Sequence, residues 1–312
     1  MQAVSGKVVS VVVPTYRRPG QLRVCLEALA KQTLPGPWEV IVVDDGSPEP
    51  ADSATEILLA ARGWQLLRQQ NSGPSAARNR GAQQALGEFI AFTDDDCLPH
   101  PNWLEDLLQV ARNRPNALVG GTTVNGLSDD FFAATSQMIV DLVYEHFNSN
   151  PNEAYFLTSN NIICSRQRFL EVGGFDRSFP RPGAEDRDFC DRWRMRQWPI
   201  VWCPEARVEH RHAQSLQQFL DLYVRYGRGA YHYQAIRRRR GSGTMWADVG
   251  FHKTLPSRVW RQLKRQESVL SGCATIMALS AWQLANATGF MMEAALNSKQ
   301  HSPATRLKES SH

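Results

Sequence analysis

Sequence patterns that mark several common functional classes are absent from this 312-residue chain. Its six cysteines form no CxxC pair and no zinc-ligand spacing, which indicates reduced thiols in a cytosolic protein. No GxxxxGK[ST] loop occurs, and no GxGxxG follows the first predicted strand, so any phosphate group has to be held by metal or arginine. Residues 1–7 lack the basic-then-apolar pattern of a secretory signal, and a cytoplasmic location is expected.

Length and composition suit one large domain, or one domain with an appendage, because 42% hydrophobic residues can fill a sizeable core. The net charge of +4 is unevenly spread, since residues 225–265 contain eleven Lys/Arg and one acid. This stretch includes four consecutive arginines at 237–240 and is interleaved with tyrosines and tryptophans. It predicts a surface that faces an anionic membrane, with nucleic acid as the less favoured partner.

Four apolar runs alternate with helical patterns in the first third of the chain, at residues 8–13, 40–43, 64–67 and 89–92. Apolar runs without polar alternation are typical of strands that are covered on both faces in a parallel sheet. The alternation of strands and helices predicts an α/β fold with an open, mostly parallel, Rossmann-like sheet flanked by helices.

The predicted strand ends carry groups that suit ligand binding better than core packing: Pro14-Thr15-Tyr16, Asp44-Asp45 and Asp94-Asp95-Asp96. In open α/β sheets, ligands bind beyond the carboxyl ends of the strands. Three adjacent carboxylates repel one another unless water or a cation separates them, whereas Mg²⁺ or Mn²⁺ takes oxygen ligands. We therefore predict a divalent-cation site at 94–96, with a solvated acidic turn as the alternative.

Two further charged positions are candidates for the same site. Arg78 follows a Gly-Pro turn near the start of a predicted helix, a position that favours contact with an anion over plain exposure. Glu185, Asp186 and Asp188 open another predicted helix, where one acid would be enough to cap it. The surplus of acids predicts a chemical role for this helix start.

Short motifs stand in a fixed order along the chain: VPTY at 13–16, VDDGS at 43–47, ARNRG at 77–81, DDD at 94–96, VGGFD at 172–176, ED at 185–186 and ARVEH at 206–210. Together they resemble the family 2 glycosyltransferases, inverting enzymes of the GT-A fold, over about residues 8–212. The resemblance implies that a sugar is transferred from a nucleotide sugar, UDP-linked, to an acceptor hydroxyl on a saccharide or lipid-linked molecule. Surface polysaccharide or glycolipid synthesis is the expected setting.

The resemblance also implies a donor site and a metal site. Donor nucleotide contacts are expected from Pro14, Thr15, Tyr16, Arg18, Asp45, Arg78, Asp94 and Asp95, with Asp45 accepting from a uracil N–H. A manganese or magnesium ion is expected on Asp96, Asp94 and His210, where it would stabilise the leaving diphosphate.

On the acceptor side, Asp186 is expected to accept the proton of the attacking hydroxyl, with Glu185 helping to hold the acceptor. Sugar or acceptor contacts are expected from Asn160, Asn161, Gly173, Gly174, Arg192 and Trp193. One departure from the family pattern concerns QxxRW, which processive members carry after the ED element. Phe189 occupies the glutamine position here, and this favours transfer of a single sugar over polymerisation.

The domain prediction divides the chain at residue 214. Residues 1–214 form the catalytic domain, with a nucleotide-sugar half at about 1–125 and an acceptor half at about 126–214. Residues 215–312 form a helical, basic C-terminal region. Within it, residues 268–292 carry no charged side chain, which suits a spanning, an interfacial or a partner-binding helix. We favour peripheral association with the inner face of a membrane, and a soluble helix packed on the domain is the close competitor.

Other function classes stay open at this point. A nucleotide-sugar-binding protein without turnover would not need Asp186 and Asp96. A response-regulator-like module would need paired acids after the first strand, where this chain has Pro14-Thr15-Tyr16. A basic α/β module that binds membrane or nucleic acid would depend on the arginine run at 237–240 alone.

Overall fold

A computed structural model describes residues 6–49, 51–179, 183–243, 246–264 and 269–300. Its contacts divide the chain into two compact units. The first comprises the described residues up to 179 together with Glu185–Ala213, and the second comprises residues 183–184 and those from Gln214 onward.

The first unit is built on one eight-stranded sheet with the order β3-β2-β1-β4-β7-β6-β8-β5. The strands are β1 (Val9–Thr15), β2 (Trp38–Asp44), β3 (Gln65–Arg68), β4 (Phe89–Thr93), β5 (Cys97–Pro99), β6 (Leu118–Asn125), β7 (Asn161–Ser165) and β8 (Ile200–His210). The first four strands pair in parallel, as do β6 and β8, whereas β7 is antiparallel to both of its neighbours. The predicted α/β fold with a mostly parallel sheet is confirmed.

Seven helices of the first unit flank this sheet: α1 (Pro19–Leu29), α2 (Ser53–Arg62), α3 (Pro74–Gln84), α4 (Trp103–Asn113), α5 (Phe131–Phe147), α6 (Arg166–Val172) and α7 (Glu185–Met195). Apolar spacing explains why α1 packs as it does, because Leu22, Cys25, Leu26 and Leu29 fall on one face and are all buried. Every residue of β1 and β4 is also buried, as expected for strands covered on both sides.

The antiparallel strand β7 decides which side chains reach the polar edge of the sheet. Thr93 at the end of β4 pairs with Asn161 at the start of β7. Because β7 runs opposite to β4, its first residues lie where β4 delivers Asp94 into a loop. The backbone of residues 160–161 therefore lies at the edge that holds the acidic loop, although these residues begin their strand instead of ending it.

Two strands had not been predicted. β5 has three residues and ends in a proline, which gives almost no alternation or length to detect. β8 is longer, but proline and charged residues interrupt its apolar pattern. The two strands pair antiparallel, and Cys97 lies opposite His210. This register joins the acidic loop directly to the histidines at the end of β8.

The second unit is helical and contains α8 (Leu216–Arg240), α9 (Trp246–Leu263) and α10 (Val269–Gln300). Ser215 caps α8, since its hydroxyl accepts from the Gln218 amide while the Gln218 side chain accepts from the Ser215 amide. Helices α8 and α10 are joined by an ion pair of 2.7 Å between Arg228 and Glu293. None of the helices in the described part of the chain carries an apolar stretch long enough to cross a membrane.

Candidate active site

The loop after β4 presents three carboxylates at the edge of the sheet, and backbone contacts fix its shape. The Cys97 amide donates to the Asp94 carbonyl (3.1 Å), which closes a tight turn. The Cys25 thiol of α1 donates to the same carbonyl from behind (3.4 Å). Asp95 and Asp96 are buried, whereas the Asp94 side chain keeps 29% of its surface exposed.

One arginine and two histidines surround Asp96. Arg18 Nη1 donates to Asp96 Oδ2 over 2.7 Å. His210 Nε2 lies 3.3 Å from Asp96 Oδ1, and His212 Nδ1 lies 3.4 Å from Asp96 Oδ2. Burial acts to raise the pKa of Asp96, but hydrogen bonds to the two imidazoles and the charge of Arg18 hold it well below its usual range. Asp96 is therefore ionised at neutral pH.

The adjacent Asp95 has the opposite shift. Burial raises the pKa of Asp95 to about 7, although the Arg18 charge and a hydrogen bond from Thr15 oppose the change. The Thr15 hydroxyl at the end of β1 donates to Asp95 Oδ2 (2.7 Å), while Arg18 Nη1 lies 3.2 Å from Asp95 Oδ1. Thr15 and Arg18 thus hold Asp95 in place, and their predicted contacts with the donor nucleotide stay a prediction.

Arg78 connects the acidic loop to the start of α7. Its Nη2 donates to Asp94 Oδ1 (2.7 Å), and its Nη1 lies 3.4 Å from Glu185 Oε1. The side chain is 5% exposed and its guanidinium lies over the Phe175 ring at 5.5 Å. The structure therefore gives Arg78 two carboxylate partners and places it between the predicted donor and acceptor residues.

Asp186, next to Glu185 at the start of α7, is half-buried. Burial and the negative charge of Glu185 raise the pKa of Asp186 to about 7, against the charges of Arg187 and Arg78. A carboxyl that titrates near neutral pH is suited to accept and release a proton under physiological conditions.

Asp45 is engaged by the turn that precedes α3. Its Oδ1 accepts from the Gln69 side chain (2.7 Å) and the Ser72 amide (2.9 Å), and its Oδ2 accepts from the Gly73 amide (2.8 Å). Asp45 is 5% exposed. These contacts show that Asp45 organises the 69–73 turn, and its predicted contact with a base stays a prediction.

The two asparagines at the start of β7 differ in their surroundings. Asn161 is buried: its Oδ1 accepts from the Trp103 indole (2.7 Å), and its Nδ2 donates to the carbonyls of Thr122 and Ala206 (3.1 Å each). These bonds tie three strands and a helix together and direct the Asn161 side chain into the fold. Asn160 is half-buried, with weaker contacts to Thr123 (3.4 Å) and Cys97 (3.6 Å).

The remaining predicted acceptor residues have structural roles. Gly173 ends α6 with a φ of 87°, and a Cβ on Gly174 would lie 2.5 Å from Asn79 Oδ1, so glycine is required at both. Trp193 is fully buried and donates to the Asn116 carbonyl (3.2 Å), while Arg192 bonds Asp188 and the Val172 carbonyl.

Prediction from sequence missed His212. The signal was present, because residues two apart in an extended segment point to the same side, and His210 and His212 flank one arginine. Their rings stack at 5.6 Å between centroids, with 11° between their planes. Of the other predicted donor residues, Pro14 is buried within β1 and Tyr16 is 38% exposed beside Arg17.

The residues around Asp96 fit a divalent metal ion. One ligand atom each from Asp96, His210 and His212 lies within 4.8 Å of the others. Imidazole nitrogen together with carboxylate oxygen suits Mn²⁺ and the later first-row divalent ions. Asp94, predicted as a further ligand, bonds Arg78, and its role as a ligand stays a prediction; His212 is an additional candidate.

The comparisons with known proteins identify the family. The sequence profile of glycosyl transferase family 2 matches residues 10–173, which is more than half of the chain. The chain belongs to glycosyl transferase family 2. The resemblance drawn from the motifs is thereby confirmed, and this family 2 glycosyltransferase is an enzyme of sugar transfer.

Among curated relatives, the glycosyltransferase is 31% identical over 216 residues to the glucosyl-dolichyl phosphate glucuronosyltransferase of Haloferax volcanii, covering 65% of this chain and 69% of that protein. It is 30% identical over 229 residues to the pre-mycofactocin glycosyltransferase of Mycobacterium tuberculosis, covering 71% of this chain and 46% of that protein. The chain thus spans less than half of the second relative's length.

Among solved structures, GalNAc-T7 with UDP, GalNAc and Mn²⁺ aligns with a TM-score of 0.55 at 16% identity, covering 81% of this chain and 55% of the other. At this identity, the similarity supports the GT-A fold alone.

Proposed function

We propose that this glycosyltransferase is an inverting, metal-dependent enzyme that moves a single sugar from a nucleoside diphosphate sugar, UDP-linked, to an acceptor hydroxyl in surface polysaccharide or glycolipid synthesis. The observation that carries the proposal is the cluster of Asp96, His210 and His212 at the carboxyl edge of the sheet. The Arg78 guanidinium supports it, since it bonds Asp94, two residues before Asp96, and Glu185, the neighbour of an Asp186 whose pKa is raised to about 7.

On the donor side, Asp96, His210 and His212 would hold the metal, with Asp94 and Asp95 beside them. A bound divalent ion supplies neutralisation of the charge that develops on the leaving diphosphate. Thr15 and Arg18 orient Asp95 and add donors on the same side. Asp45 and Tyr16 are proposed to border the base.

On the acceptor side, Asp186 accepts the proton of the acceptor hydroxyl while the hydroxyl oxygen attacks the anomeric carbon of the donor sugar. The bond between the anomeric carbon and the diphosphate oxygen breaks at the same time. The proton moves to a carboxylate oxygen of Asp186, and the nucleoside diphosphate leaves with the bonding electrons. Glu185, fixed by Arg78, holds the start of α7 in register with the acidic loop. Asn160 is the proposed sugar contact from β7.

A screen of nucleotide sugars by calorimetry and thermal shift, with and without Mn²⁺, tests the proposal. We expect a UDP-sugar to bind and stabilise the protein only when Mn²⁺ is present. Binding that is unchanged by a chelator would contradict the metal-dependent part. Transfer is then measured with the best donor, because binding without any transfer would favour the alternative of a nucleotide-sugar-binding protein.

For the C-terminal unit, we propose peripheral contact with an anionic membrane on the cytoplasmic side through residues 225–292. Large apolar side chains on α10 support it, since Met277, Leu284 and Met291 are about two-thirds exposed at seven-residue spacing. The basic run at 237–240 ends helix α8, and Arg238 and Arg239 within it are exposed. Co-sedimentation with phosphatidylserine vesicles at low and high salt tests the proposal, and absence of binding at low salt would exclude it.

A further inference from the structure

The Arg18 guanidinium and the candidate metal ligand His212 both contact the same oxygen, Asp96 Oδ2. Arg18 Nη1 is 2.7 Å from Asp96 Oδ2 and 3.2 Å from Asp95 Oδ1. His212 Nδ1 is 3.4 Å from that same Asp96 oxygen. A metal ion held by Asp96 and His212 would therefore compete with the Arg18 guanidinium for Asp96 Oδ2.

Two positive charges that share an oxygen repel each other, and burial of Asp96 weakens the screening of that repulsion. The side chains differ in their freedom to respond. Those of Asp95 and Asp96 are 6% and 7% exposed, whereas that of Arg18 is 39% exposed. Arg18 can swing toward solvent without unpacking the core, but the two acids cannot move out of its way.

The backbone around Arg18 is fixed, which restricts any movement to the side chain. Arg17 has a φ of 57°, in the left-handed region, and its amide donates to the Ser47 hydroxyl (2.8 Å). Pro19 then begins α1, with Arg18 at the N-cap position and no capping bond from its side chain. The backbone of Arg18 is therefore held in place, while its long side chain leaves the guanidinium free to move.

We propose that Arg18 exchanges partners during donor binding: it leaves Asp96 Oδ2 when a divalent metal binds, and it then contacts the diphosphate of the donor. The inference rests on the proposed function, because it requires a metal on Asp96. Phosphate oxygens are strong partners for a guanidinium, which can bond two of them at once. Arg18 thereby opposes binding of metal alone and favours binding of metal together with diphosphate.

The test measures two affinities of the full chain by isothermal titration calorimetry. Mn²⁺ alone should bind Arg18→Gln about tenfold more tightly than the wild type, because the competing charge is gone. At saturating Mn²⁺, UDP and inorganic pyrophosphate should each bind Arg18→Gln about tenfold more weakly, because the guanidinium contact is lost. The opposite signs separate exchange of partners from general damage to the site.

Two further variants act as controls. Arg23 lies on α1, the helix that Arg18 precedes. Arg23→Gln removes the same charge from an exposed pairing with Glu27 and Asp52, so both affinities should stay at the wild-type values. Arg18→Lys keeps the charge but loses the planar fork, so Mn²⁺ affinity should stay near wild type while pyrophosphate affinity falls. Thermal melts establish that each variant is folded.

Weaker binding of Mn²⁺ to Arg18→Gln would overturn the inference, since Arg18 would then support the ligands instead of competing. Equal affinities in the variant and the wild type would overturn it as well. If Mn²⁺ binds neither protein, both the inference and the proposed metal dependence fail. If pyrophosphate shows the expected loss and UDP does not bind, the assignment of the nucleotide fails while the exchange of partners stands.

Discussion

Asp96 and Asp186 are both shielded carboxylates of one site, yet their surroundings shift their pKa values in opposite directions. Asp96 is ringed by Arg18, His210 and His212, which hold its pKa well below the usual range. Asp186 lies beside another acid, Glu185, and its pKa rises to about 7. The difference separates a permanent anion that suits a cation from a carboxyl that suits proton transfer near neutral pH.

Arg78 is what keeps the two environments distinct although they adjoin. It neutralises Asp94 on one side and Glu185 on the other, so neither negative cluster is fully exposed to its neighbour. If this difference in pKa serves the function, substitution of Asp96 should affect Mn²⁺ binding, whereas substitution of Asp186 should affect the rate of transfer alone.

The largest expected effect belongs to Asp96→Asn. Loss of the anion removes the charge that would hold the metal, and donor turnover should fall by about a thousandfold or more, with Mn²⁺ binding lost in parallel. Turnover and metal affinity are measured together. Asp129→Asn, at an exposed acid of the 128–130 turn, is the control that should change neither. Wild-type Mn²⁺ affinity in the Asp96 variant would place the ion elsewhere.

Asp186→Asn should leave the donor side intact. We expect transfer to fall by about a hundredfold to ten-thousandfold, the range typical of a positioned base, while affinity for UDP with Mn²⁺ stays at the wild-type value. Rates at saturating donor and equilibrium binding separate the two quantities. Wild-type transfer rates in this variant would rule out Asp186 as the base.

His212→Ala tests whether the second imidazole belongs to the cation side. Loss of one ligand should weaken Mn²⁺ binding by roughly tenfold to a hundredfold, measured by calorimetry. His100→Ala is the matched control, because His100 lies 3.6 Å from Glu209 and has no contact with Asp96 among the described residues. Equal Mn²⁺ affinities in the two variants would show that His212 is not a ligand and would leave Asp94 as the candidate for the third position.

The mildest perturbation is a change of pH, which should alter the rate of transfer without any substitution. Because the pKa of Asp186 is raised to about 7, the base is mostly protonated below that pH and mostly available above it. At saturating donor, the rate should fall by about tenfold per unit below pH 7 and level off above it. Donor affinity is followed over the same range as a control. A flat profile between about pH 5 and 8 would mean that another group accepts the proton.

The sequence predicted the sheet well because its strands carry strong local signals. The strands ending at Thr15, Asp44 and Thr93 have no polar alternation, and clear helices follow the first two. β5 was not predicted because three residues that end in proline are too few to show the alternation of a strand. It is a strand because it pairs with β8. That pairing depends on residues about a hundred positions away, which no local pattern contains.

The candidate site was predicted at the level of motifs and less well at the level of side chains. Asp96, Arg18, Arg78, Asp186 and His210 are brought together as expected. Asn161 and Trp193 were predicted for the same site, but their polar atoms bond Trp103, Thr122, Ala206 and Asn116. A motif records which residues are required, and only the fold shows whether a side chain faces a substrate or the interior.

The short ladder between β5 and β8 has a mechanical consequence. Asp96 and His210 are far apart in the chain, and the pairing of Cys97–Pro99 with β8, extended by a 2.9 Å hydrogen bond from the Arg211 amide to the Asp96 carbonyl, brings them together at an edge of the sheet. A divalent ion held by Asp96 and His210 would stabilise the pairing of β5 with β8, by an amount that grows with the logarithm of the ion concentration above its dissociation constant. Addition of Mn²⁺ should slow amide hydrogen exchange in β5 more than in the buried central strands of the sheet.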